Sequence, residues 1–153
     1  YDAFVDGEMD MKARILSTLT VVDYTESPEL NRISLRRWLI ESPLYPMALL
    51  PGGPVSWEPV DDRQARAVVT WGGMGAALVA TFRDDGALIA FRAEEDGDLS
   101  TPYHGSGEVA TRDDFRMVEG VRLPHAFTIS RAAGGETHPF WRGQVTAFEI
   151  RRP

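Results

Sequence analysis

The sequence predicts a mainly β (α+β) fold: an antiparallel meander curved into a half-barrel with one helical lid segment. Three observations predict it. Arg37 to Pro51 is the only strongly apolar, helix-like stretch. Period-2 alternation of apolar and polar residues fills nearly everything after it. Short Gly- and Asp-containing turns separate the alternating runs, as hairpins require.

Each element has its own warrant. Tyr1 to Val5 and Met9 to Leu16 read as strands around the turn signal Asp6-Gly7, and Leu19 to Tyr24 as a third short strand. Ser27-Pro28-Glu29 starts a helix: a capping hydroxyl, a proline suited to the first turn, and an acid at the positive helix end. The helix runs to about Glu41, because Pro43 disfavours helical geometry in the residue before it. A short helical turn follows over Pro46 to Leu50. Apolar residues fall on two sides of the helix: Leu30, Ile33 and Ile40 on one, Leu35, Trp38 and Leu39 on the other. Such a helix must be covered twice, by the sheet and by something else.

Strands are expected over Val55 to Val60, Gln64 to Trp71, Gly75 to Arg83 and Ala87 to Ala93, with turns at Gly72-Gly73 and Asp84-Asp85-Gly86. Glu94 to Leu99 reads as an exposed loop. Tyr103 to Met117 reads as a long or bulged strand. Val121 to Arg131 turns Val121, Leu123, His125, Phe127 and Ile129 inward. Ala132 to Gly135 is a turn, and Phe140 to Arg151 the last strand. Together these make about eight to ten strands in a half-barrel, with Ser27 to Leu50 in its concave side.

The 153 residues suit a single domain, 1–153. Because Tyr1 already sits in a strand-like pattern, the chain reads as a fragment lacking N-terminal residues. There is no cysteine, which excludes disulfides and thiolate metal sites and fits the cytoplasm without requiring it. A net charge of -7 argues against nucleic acid and anionic membrane as partners. No apolar run is long enough for a membrane span.

Several segments, in order, are similar to an uncharacterised bacterial family, a domain of unknown function. They are Asp2 to Gly7; Arg37-Trp38-Leu39-Ile40-Glu41 with Tyr45-Pro46-Met47-Ala48-Leu49-Leu50-Pro51; Trp57-Glu58-Pro59-Val60-Asp61-Asp62 with Ala65-Arg66-Ala67; Phe82 to Gly86; Thr101-Pro102-Tyr103 with Gly105; Phe115-Arg116 with Gly120-Val121-Arg122-Leu123-Pro124; and Phe140-Trp141-Arg142-Gly143. The resemblance spans nearly the whole chain. It implies a further N-terminal portion and leaves open whether the sheet lacks strands at one edge; an unpaired edge is a surface through which a homodimer could form. Leu44 and Tyr103 stand where the family usually has Trp, and Met47 where it has Thr. The pattern is also similar in fold to the unclosed barrels of bacterial lipoprotein-carrier proteins, an analogy that does not fix function.

No motif names a reaction. The leading expectation is a non-catalytic domain that binds an apolar or aromatic small molecule, using Trp38, Leu39, Glu41, Tyr45, Leu49, Trp57, Trp71 and Trp141. Tyr103 and Phe127 belong to the same set of aromatics, which could equally fill a core. The alternatives are an enzyme with Glu41 or His125 as acid or base, and an interaction module pairing through a sheet edge. Glu41 could also be a helix-end glutamate with an ordinary partner. His104, His125 and His138, even with Asp61, Asp62 or Glu41, match no ligand spacing, so no metal is expected. Nor is any cofactor: Gly72 to Gly75 precedes no helix, Asp84-Asp85-Gly86 lacks the spaced ligands of a calcium loop, and Ser106 has no nucleophile-elbow context. The acidic run Glu94 to Asp98 reads as solvated surface.

Overall fold

Ser27 and Pro28 start the helix as their chemistry predicts. The Ser27 Oγ accepts a hydrogen bond from the Leu30 amide at 3.1 Å, and Pro28 opens α1 (Pro28–Glu41). The computed structural model describes residues 2–6, 8–15, 19–25, 27–100 and 107–150. Gly7 of the first expected turn, Leu16, the strand start at Tyr103, and His104 and Ser106 lie outside the described residues.

Ten strands are seen among the described residues, in two antiparallel sheets. β1 (Asp2–Val5), β2 (Glu8–Ile15) and β3 (Leu19–Thr25) form the first, in that order. After α1 come two 3-10 turns, Ser42–Leu44 and Pro46–Leu49. The second sheet follows: β4 (Val55–Pro59), β5 (Gln64–Trp71), β6 (Met74–Phe82), β7 (Leu88–Arg92), β8 (Gly107–Val118), β9 (Val121–Ala133) and β10 (Glu136–Gln144). Its seven strands pair in chain order, so it is an antiparallel meander, and it does not close. Thus the expected run of strands is divided by α1 into three and seven. No described helix is long and apolar enough to cross a membrane.

The last strand lies earlier than its sequence suggests, at Glu136–Gln144 rather than Phe140 to Arg151. The turn is made by Gly134 and Gly135, whose φ values of 61° and 79° suit a tight hairpin. His138-Pro139 looks like a strand breaker. It is tolerated because β10 is an edge strand, where a missing N–H costs no ladder bond.

The two-sided helix finds two covers. α1 packs on β5 and β6 and also meets β1 and β2. Against the meander it sets Leu35, Leu39 and Ile40. The sheet answers with small residues, Ala67, Ala76, Ala80, Ala93 and Ala110, around Leu78 and Phe91. Large side chains over an alanine floor let the helix sit low and fill the space closely.

The segment after the helix is pinned back by polar handles. The Tyr45 hydroxyl donates to the Trp38 carbonyl at 2.8 Å, and the Trp57 indole N–H donates to the Leu49 carbonyl at 3.0 Å. Trp57 stacks at a tilt on Phe82, 5.8 Å between ring centres. These contacts satisfy the polar ends of aromatics whose bodies are packed.

Leu39 is 0 % exposed in the middle of this core. Leu39→Ala should cost about 2–5 kcal/mol of unfolding free energy in urea titrations. A loss below about 1 kcal/mol would mean that α1 is not seated as described.

Candidate functional site

A cavity of about 190 Å3 lies between α1 and the far wing of the meander, strands β8 to β10. Its floor follows from strand register. On β8, Glu108, Ala110 and Arg112 share one face. They lie opposite Arg131, Ile129 and Phe127 of β9, respectively. On β10, Trp141 lies opposite Ile129, and Gly143 opposite Phe127. The charged pair Glu108–Arg131 and the pair Arg112–Phe127 thus flank the small, apolar pair Ala110–Ile129. The roof is Ile33, Arg37, Ile40 and Glu41 of α1, continued by Leu44. Their spacing of four, three, one and three residues keeps them on one helix face.

A bulge builds the outer wall. Register shifts between Pro139 and Trp141, leaving Phe140 without a partner on β9. Adjacent residues of a regular strand point to opposite faces, but a bulge breaks that alternation. Phe140 and Trp141 therefore both line the cavity, while remaining 60 % and 55 % exposed. They stand where it meets solvent. Trp141 meets Phe127 edge to face at 5.3 Å. Gly143 is required beneath that ring, since a Cβ there would overlap Phe127.

Two charged groups are buried here. Arg112 is 6 % exposed. Its Nη2 donates to the Ile40 carbonyl at 2.6 Å and its Nη1 to the Thr111 carbonyl at 3.1 Å, while Nε has no hydrogen-bond partner. Ile40 is in the last turn of α1, which carries no basic residue of its own. The guanidinium therefore meets carbonyl density at the negative helix end. Burial lowers the Arg112 pKa to about 10, against the raising effect of Glu41's charge, so it stays charged at neutral pH. Phe127 lies 5.7 Å from the guanidinium carbon.

Glu108 is 8 % exposed. Its Oε2 is 3.6 Å from Arg36 Nη1, an ion contact too long for a good hydrogen bond, and has no hydrogen-bond partner. Burial pushes its pKa up to about 7, although the charges of Arg36 and Arg37 pull it down. Arg131 lies directly opposite in register, but its guanidinium is over the Phe140 ring at 5.5 Å.

The family model of a "Family of unknown function (DUF6920)" matches residues 1–149. The chain belongs to this family. Comparison with curated proteins and with solved structures gave no match. In this DUF6920 domain, two segments quoted above for their resemblance meet at the cavity. Arg37 to Glu41 supplies part of the roof, and Phe140 to Gly143 supplies the bulged wall.

The structure distributes the expected site residues unevenly. Glu41 and Trp141 line the cavity. Glu41 is exposed at the helix end, and its charge, after burial, helps to raise the Tyr45 pKa. Leu39 is core; Trp38, Leu49 and Trp57 pack against that core. Tyr45 covers Trp38 from the solvent side, with ring centres 5.8 Å apart. Trp71 is exposed at the β5–β6 hairpin. His125 is buried outside the cavity lining, its Nδ1 3.1 Å from the Leu123 carbonyl and its ring edge-to-face on Phe148. Among the described residues, no three His, Asp or Glu side chains cluster to hold a metal ion. Sequence reasoning missed Glu108, Arg112, Arg131 and Phe140. The available signal for Glu108 and Arg112 was their shared parity with Ala110 on a strand next to the apolar β9.

Glu108 makes stability depend on pH with a definite sign. Its ordinary value is 4.5 and its folded value about 7, so the fold holds an extra proton between them. The stability from the protonated form is complete below the lower value and is lost as pH rises through the upper one. Arg36, Arg37, Arg112, Arg131, Glu41 and His138 surround the group and stay the same in a Glu108→Gln variant. Relative to wild type, that variant should gain about 3 kcal/mol between the acid and alkaline sides of this window. Parallel pH profiles in urea unfolding would show that Glu108 does not titrate in this way.

Proposed function

We propose that the domain binds a small apolar or aromatic molecule, without transforming it, in the cavity between α1 and β8 to β10. One observation carries the reading: Ile33, Ile40, Leu44, Phe127, Ile129, Phe140 and Trp141 give a cavity, open to solvent on one side, a mostly apolar surface that five charged side chains enter. Binding sites are commonly built this way, with apolar walls and sparse orienting groups. An engineered cavity of roughly 150 Å3 in another protein takes up benzene. A volume of about 190 Å3 therefore suits one aromatic ring or a short aliphatic chain. The exposed Phe140 and Trp141 rings would cover whatever extends beyond it.

Magnitude limits the apolar contribution. A single ring losing about 150 Å2 of exposed surface gains roughly 4 kcal/mol at 25 cal/mol per Å2. Before the costs of association, that corresponds to about millimolar affinity. Useful affinity needs the polar groups as well.

Saturation-transfer NMR with benzyl alcohol and hexanol tests the reading. Both should bind wild type, and Ile129→Trp, which fills the cavity, should weaken them at least tenfold without lowering the unfolding midpoint. Unchanged binding in that variant would move the site elsewhere.

A second reading, an enzyme using a cavity acid, is favoured by Glu108 rather than by His125. A carboxyl group titrating near neutrality beside a fixed guanidinium is suited to general acid–base work. Under that reading, Glu108→Gln abolishes turnover of a bound compound while leaving its affinity within a few-fold. Retained turnover would exclude Glu108 as the acid.

A further inference from the structure

The cavity contains an unbalanced set of charges. Arg37, Arg112 and Arg131 line it against Glu41 and Glu108, an excess of one positive charge even with both carboxylates ionised. The excess is localised. No carboxylate among the described residues lies within ion-pair distance of Arg112, which donates only to main-chain carbonyls and keeps one buried N–H unpartnered. Arg131 forms no ion pair among the described residues either, and its guanidinium rests over Phe140.

A buried cation without a carboxylate in ion-pair contact is costly, and an anion that completes it recovers much of that cost. The alternatives are less suitable. A cationic ligand would meet three guanidiniums, and a neutral apolar one would leave the Arg112 N–H without an acceptor. With both carboxylates ionised, a dianion would exceed the charge surplus and face Glu41 and Glu108 in the same space. A single carboxylate fits the surplus, and its planar pair of oxygens matches a guanidinium edge.

We propose that the ligand is a small organic monocarboxylate, its apolar body against Phe127, Ile129, Phe140 and Trp141 and its carboxylate held by Arg112 and Arg131. This rests on the binding function proposed above and narrows it to a chemical class. Rings beside both guanidiniums hold them at the boundary between the charged and apolar parts of the cavity.

Isothermal titration with phenylacetate, phenylacetamide and phenyl phosphate separates the possibilities. Wild type should bind phenylacetate at least tenfold more tightly than the other two. Arg131→Gln, at a partly exposed position, and Arg112→Gln should each remove most of that preference, weakening phenylacetate far more than phenylacetamide. Far-UV circular dichroism checks that each variant is folded, and Arg131→Gln decides the matter if Arg112→Gln is not. Equal affinity for phenylacetate and phenylacetamide overturns the carboxylate assignment but leaves apolar binding intact. A preference for phenyl phosphate overturns the monoanion. Absence of binding by all three overturns both this inference and the reading it rests on.

Discussion

The seating of α1 on an alanine-lined face is the constraint on which the rest depends. Leu35, Leu39 and Ile40 come down onto Ala67, Ala76, Ala80, Ala93 and Ala110, and the closeness of that contact sets the height of the helix above the sheet. Larger residues on the sheet would lift α1 and separate its last turn from β8. The Arg112–Ile40 hydrogen bond would then lengthen beyond its 2.6 Å. Packing and electrostatics are coupled here: the apolar contact places the carbonyl, and the carbonyl holds the buried charge.

That coupling explains why a costly pair of groups is tolerated beneath the helix. Arg112 is partly compensated by the negative end of α1, and Glu108 by Arg36 and, at neutral pH, by partial protonation. Neither group is fully satisfied, since Arg112 Nε and Glu108 Oε2 have no hydrogen-bond partner. Replacing such buried charges by apolar residues of similar size is often neutral or stabilising. Stability alone therefore does not account for their presence.

Much of the fold was legible because local chemistry and global packing agree. Ser27, Pro28 and Pro43 delimit α1, and Gly72-Gly73 and Asp84-Asp85-Gly86 turn where the sequence says they turn. The alternation that turned Phe127 and Ile129 inward matches their place in the cavity lining. The site was much less legible. Isolated charges on a strand look like its solvent face, and only knowledge of which β8 face meets α1 reveals Glu108 and Arg112 as buried. Phe140 was invisible as a wall residue because period-2 reasoning puts it opposite Trp141, and a bulge is a departure from that period. The aromatic residues that attracted attention, Trp38, Tyr45 and Trp57, serve instead to hold the post-helical segment in place.

The bulge also bears on which wall of the cavity can yield. β10 is an edge strand with Pro139 in it, so its outer side lacks a neighbouring ladder among the described residues, and its bulge leaves Phe140 without a partner on β9. Phe127, seated on Gly143, anchors it from below, while Phe140 and Trp141 remain largely solvated above. Edge segments with few backbone bonds open at lower free energy than central strands. The rigid half of the cavity is thus α1 with β8, where Arg112 is fixed to the Ile40 carbonyl. The adaptable half is β10, where the apolar wall stands. Phe140 and Trp141 can therefore shift with β10 while Leu35, Leu39 and Ile40 keep α1 seated on the sheet.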